Sequence, residues 1–309
     1  MGERNLYKID GRVVSTPGGD LTPEEKLAEE KLIADLTHYF LEAGNKTIIG
    51  ELFKTDEEKK IIRRYNGYIK SELDDLGCLD TRGPLPMGKV HFSSSHNYHK
   101  QFPHIPESVI GQHNPITDAV HIKKGEKISR LKVAYVILHE MIHAFSATRY
   151  DFNESGLISS VKSGYSVSKK QYSSEKDPEN SVTSDELFLG FNEAIVDLMA
   201  QEIFKKHQDE IFSDLNMSEE ELSASSLKYS NYCPYIEWLI DKVAEENNED
   251  RSVVWKKFKT GLLTGKIMHL REIEKALGVG ALRLVAKFGN SQEDNSAFKD
   301  FQKNYDNQK

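Results

Sequence analysis

The sequence predicts an α+β fold, mostly helical, with a small antiparallel or mixed sheet. Two patterns carry that reading. Apolar residues recur at three- and four-residue spacing through the first quarter and the second half. Between Gly83 and Gly125 short apolar runs instead alternate with turn residues. Composition agrees: 309 residues with 38% hydrophobic and 29% charged positions suffice for one large or two modest domains with their own core.

In chain order, Thr16-Pro17-Gly18-Gly19-Asp20 marks a turn-rich start. Thr22-Pro23-Glu24-Glu25 then opens a helix with a cap, a proline at the first position and acids at the positive end, which runs to about Glu42. Ile61, Ile62, Tyr65, Tyr68 and Ile69 define a second helix from about Glu57 to Leu76, closed by Gly77. The two are expected to form a layer of their own. Lys89–Phe92, Ser108–Gln112 and Ala119–Ile122 read as strands of a small antiparallel sheet, with a hairpin at Asn114-Pro115-Ile116-Thr117-Asp118.

Ser129–Ala147 is apolar nearly all round, as a helix inside a domain is. Tyr150–Glu186, with ten serines between Ser155 and Ser184, reads as a mobile loop or exposed hairpin. A helix follows from near Leu189 to about Lys206. The remainder is helical up to a polar tail from about Asn290.

Several function classes are disfavoured. Cys78 and Cys233 form no CxxC pair, so neither a disulfide framework nor thiol chemistry is implied. The first ten residues, MGERNLYKID, precede no apolar stretch, and no window approaches about 18 apolar residues, so a cytoplasmic protein without membrane spans is expected. Leu6 stands where a myristoylation signal has Ser or Thr. The net charge of −8 disfavours nucleic acid as a partner, although Lys256-Lys257-Phe258-Lys259 is locally basic.

His139-Glu140-Met141-Ile142-His143 is an HExxH sequence. On a helix it sets both imidazoles on one face, one turn apart, where they can share a zinc ion, with Glu140 beside the metal. Chance would produce it in such a chain with a probability on the order of 0.03. Its uncharged setting sharpens the signal, since burying two histidines and an acid without partners is costly. The competing reading is a pair of core histidines bonded to backbone carbonyls. Downstream, Asn192-Glu193-Ala194-Ile195-Val196-Asp197 puts two acids at i and i+4 on an apolar helix. Glu193 fits a third zinc ligand, and Asp197 fits an acceptor that holds an imidazole in its metal-binding tautomer. Alternatively both acids merely favour the positive end of their helix.

HExxH followed by NExxxD resembles the gluzincin metallopeptidases, the thermolysin-like group, over roughly residues 86–275. The resemblance implies a zincin-like fold, with His139, His143 and Glu193 as zinc ligands and Glu140 as general base. Asp197 and Asn192 would stand behind the ligands, Asp197 as the partner of His139. It implies hydrolysis of a peptide or protein substrate, and an oxyanion donor on a later helix, for which Tyr232 is chosen and Tyr229 is second. The segment between His143 and Glu193 is longer than in thermolysin or the gluzincin aminopeptidases, which leaves the subfamily open. The expected organisation is a helical region at 1–85, a metallopeptidase domain at 86–290 and a tail at 291–309. A zinc-bound regulatory module with little turnover is the alternative, against which an intact Glu140 speaks.

Two further expectations concern the cleft. Ala119-Val120-His121-Ile122 is expected to be an edge strand beside the metal that binds extended peptide, and the serine-rich segment to be a lid or else a decoration on the far surface. His91, His96, His99 and His104 are expected to be solvated loop histidines or substrate contacts.

Overall fold

Local capping signals place the helices. In the computed structural model, which describes residues 4–9, 11–19, 21–42, 48, 50–78, 83–153, 157–172, 181–217 and 231–307, the architecture is α+β with two small sheets. Helix α1 (Pro23–Glu42) starts with reciprocal bonds between Thr22 and Glu25, and α2 (Asp56–Asp75) with the same device at Thr55 and Glu58. Both agree with the sequence pattern, but they fall in different compact units, α1, as far as Thr37, in one and α2 in another.

The unit holding α2 comprises residues 38–145 and 196–229. Its sheet contains β1 (Val90–Ser94), β2 (Gly111–Asn114) and β3 (Ala119–Lys124) in the order β1-β3-β2, with helix α3 (Ser95–Gln101) between the first two in sequence. The hairpin β2–β3 is antiparallel, and its turn is built by Asn114, whose Oδ1 accepts the Ile116 N–H at 2.9 Å, and by Asp118 at φ 58°. Strand β1 pairs parallel to β3, so the sheet is mixed.

Consequently Ala119–Ile122 is no edge. It is the central strand, hydrogen-bonded on both sides and buried, and cannot accept a further chain. The outer side of β1 is bridged by Glu51 and Leu52, whereas β2 has no second strand partner among the described residues. Helix α4 (Arg130–Phe145) is capped by Ser129, whose hydroxyl accepts the Lys132 N–H at 3.2 Å, and is buried along most of its length. Helix α6 (Gln208–Asp214) also belongs to this unit.

The other unit comprises residues 1–37, 146–195 and 230–309. Its sheet has six strands. The N-terminal hairpin β4 (Arg4–Ile9) and β5 (Arg12–Pro17), hidden in the sequence behind a turn-rich reading, joins β6 (Thr148–Phe152) through a parallel pairing. From there β7 (Ile158–Ser163), β8 (Ser166–Tyr172) and β9 (Ser181–Leu187) continue antiparallel.

The serine-rich segment is therefore sheet rather than a mobile loop, and a lid of free chain is not what its described residues form. Tyr150, Phe152, Val161 and Tyr165 are buried and anchor it, and pairing the backbone requires no apolar side chain at the intervening serines. Residues 173–180 lie outside the described residues.

Helix α5 (Leu189–Lys206) is continuous across both units. It is followed in the second unit by α7 (Cys233–Asn247), α8 (Arg251–Thr264), α9 (Arg271–Leu277), α10 (Ala281–Lys287) and α11 (Gln292–Asn307). The expected polar tail is α11. One aromatic residue, Phe298, is fully buried against Phe288 at 4.7 Å, and polarity elsewhere on the helix conceals that anchor in the sequence. Among the described residues no helix is long and apolar enough to cross a membrane.

Candidate metal centre

Helix α4 carries His139, Glu140 and His143, and helix α5 carries Asn192, Glu193 and Asp197. The start of α5 is held by backbone bonds from Phe188 to Ala286 O and from Gly190 to Phe288 O. Gly190 is required there, because a Cβ would stand 2.7 Å from Phe288 O and 2.8 Å from Gly289 Cα. Glu193 and Asp197 lie one turn apart on the same face of α5.

The two imidazoles face each other through their Nε2 atoms, 3.2 Å apart. Two nitrogens bound to one tetrahedral zinc at ~2.0–2.1 Å stand about 3.3–3.4 Å apart, so this spacing suits a shared ion. Without metal, the same spacing accommodates one proton between two neutral rings. Glu193 joins them: ligand-type atoms of His139, His143 and Glu193 all lie within 4.8 Å of one another. Among the described residues it is the only set of three or more His, Cys, Asp or Glu side chains gathered so closely.

Asp197 completes the arrangement from behind. Its Oδ1 lies 3.4 Å from Nδ1 of His139 and accepts the Tyr135 hydroxyl at 2.6 Å, both groups being buried. A carboxylate at Nδ1 favours the tautomer with its proton there, in which Nε2 of His139 presents its lone pair, as a metal requires. The first turn of α5 carries no acid, so attraction to the helix dipole does not account for Glu193 or Asp197. The ring nitrogens of the two histidines meet each other, and His139 also meets a carboxylate.

Glu140 is buried beside strand β2. A Cβ on Gly111 would collide with Val136 and stand 2.9 Å from Cγ and 3.1 Å from Oε1 of Glu140, so the strand approaches the acid closely because residue 111 is glycine. The buried Tyr98 phenol is pushed up by desolvation and, secondarily, by the Glu140 carboxylate. Lys132, whose Nζ lies 5.5 Å over the Tyr135 ring, has its pKa lowered by burial, with Asp197 pulling the other way.

Asn192 and Tyr232 have contacts within the second unit. Asn192 is buried, and its Oδ1 accepts the Tyr165 N–H at 2.8 Å, which ties the β7–β8 turn to α5. Tyr232 is the residue before α7, half-buried, with its ring edge on Phe288 at 5.1 Å. Tyr229 lies outside the described residues.

Of the four clustered histidines, His104 lies in an exposed turn, whereas His96 and His99 sit on α3 and are not loop residues, nor is His91. It lies on β1, buried, with Nδ1 3.1 Å from Glu51 and its ring stacked on His121 at 5.1 Å. Glu51 is distant in sequence, so pattern alone could not supply this partner. Tyr135 and Gly111 also escape a reading of the sequence. Tyr135 sits in an apolar run and reads as core, and Gly111 falls inside an expected strand, where an isolated glycine signals close backbone approach.

Comparison with protein-family models, with curated proteins and with solved structures finds no match.

Proposed function

We propose that this chain is a zinc-dependent peptidase with a zincin-like fold, zinc being held by His139, His143 and Glu193. The observation that carries the reading is the pair of Nε2 atoms 3.2 Å apart with Glu193 beside them and a carboxylate behind one ring. Three protein donors leave a fourth position for water or substrate, as catalytic zinc sites do. Bound there, zinc would supply Lewis acidity and water of lowered pKa.

The chain's own residues do the rest. Glu140, adjacent in sequence to a ligand and not one itself, takes the proton of the attacking water and returns it to the leaving nitrogen. Strand β2, with no second strand partner among the described residues and touching Glu140 at Gly111, is the edge on which an extended peptide adds by backbone hydrogen bonds. Tyr232 is the proposed donor to the developing oxyanion.

Metal analysis tests the reading directly. Wild type should hold about one zinc per chain, and His143→Ala and Glu193→Ala should lose it. Undiminished zinc in both variants overturns the ligand assignment. Glu140→Gln should keep zinc while losing cleavage of a peptide library. Zinc without cleavage by wild type would instead indicate a zinc-bound regulatory module.

A further inference from the structure

The carboxylate behind His139 is itself held by a residue outside both sequence motifs. Positions 132, 135, 139 and 143 fall on one stripe of α4, so the helix that supplies two imidazoles also supplies Tyr135, one turn before the first. Tyr135 is 2% exposed, and its ring meets Phe204 edge-on at 5.7 Å. Packing alone would be served by phenylalanine. The hydroxyl lies 2.6 Å from Oδ1 of Asp197 and 3.2 Å from the same residue's carbonyl. It has one proton, which goes to the nearer, charged acceptor. Asp197 is 3% exposed, and that same Oδ1 faces His139 Nδ1 at 3.4 Å. A buried carboxylate whose one oxygen accepts the Tyr135 hydroxyl and faces an imidazole nitrogen has little freedom to rotate.

We propose that Tyr135 is a positioning residue of the metal centre: its hydroxyl donates to Asp197, holds that carboxylate against Nδ1–H of His139, and so presents the Nε2 lone pair of His139 to the metal. The inference rests on the zinc-site reading above, but its structural core, the tautomer of His139, exists with or without metal.

The test has two arms. In metal-free wild type, imidazole ¹⁵N shifts should identify His139 as the Nδ1–H tautomer, and an Nε2–H tautomer overturns the proposal even if the variants below fail to fold. In the second arm, zinc affinity is measured by chelator competition for wild type, Tyr135→Phe, Asp197→Ala and the double variant. Tyr135→Phe should weaken zinc by about 10–100-fold, and that loss should vanish in the Asp197→Ala background. Phe204→Leu, which alters the packing of the same ring, should leave affinity within about twofold. Unchanged affinity in Tyr135→Phe, or an equal loss with and without Asp197, overturns the proposal, since the residue would then act through packing or not at all. Absence of zinc from wild type condemns the ligand assignment instead and leaves the tautomer measurement to decide on Tyr135.

Discussion

On the mechanism proposed above, replacing Gly111 by alanine should weaken the action of Glu140 without removing the metal. The backbone at 111 is not in the left-handed region, so alanine brings no conformational strain and its effect is that of one methyl group. That methyl would stand 2.9 Å from Cγ and 3.1 Å from Oε1 of Glu140, and closer still to Val136. Ordinary contact needs ~3.4 Å or more, so the acid must retreat by about a third to half an ångström and Val136 must also give way, or β2 must move away by about 1 Å. Overpacking of this kind costs ~1–3 kcal/mol of stability.

A displacement of ~1 Å in a reacting group can cost ~10²-fold in rate, so half that displacement should lower kcat on the order of tenfold. The assay is turnover of a fluorogenic peptide chosen from a library, with zinc content and thermal midpoint measured on the same preparation. Wild-type kcat in a folded, zinc-loaded Gly111→Ala variant would refute the claim that this glycine seats the acid.

Three other outcomes are expected. Gly67 lies exposed within α2, and a methyl group added there would have nothing within 4 Å, so Gly67→Ala should raise stability by ~0.5–1 kcal/mol in chemical denaturation. Phe298→Ala should cost ~3–5 kcal/mol, because the ring is fully buried between Phe288, Tyr235 and Trp238; a loss below about 1 kcal/mol would show that α11 is not part of the core. Burial, and then the charges of His91 and His113, push His121 down to about 4, with Glu51 opposing. The unfolded chain thus binds the proton first, so stability should be full above about pH 6.5 and fall as pH drops toward 4. His121→Gln should flatten that decline, and an unchanged acid profile would remove His121 as its source.

The sequence by itself determined the helices other than α3 and α11, and the order of the chemistry. Capping boxes at Thr22 and Thr55, the apolar run around His139, and the i, i+4 spacings of His139 with His143 and Glu193 with Asp197 depend only on neighbours within a turn or two, where helical geometry is dictated locally. Strand pairing was decided only by the tertiary structure, because partners are distant in sequence and the pleat asks little of composition. That is why Arg12–Pro17 hid behind a turn signal, the serine-rich run read equally as a loop or a hairpin when it is a hairpin within a six-stranded sheet, and Ala119–Ile122 looked like an edge when β1 and β2 enclose it.

The same reason separates the motif residues from their supports. HExxH and NExxxD are visible in the chain, but Tyr135 meeting Asp197 and Gly111 meeting Glu140 are encounters between separate elements, and a pattern read along one element contains no record of what packs against it.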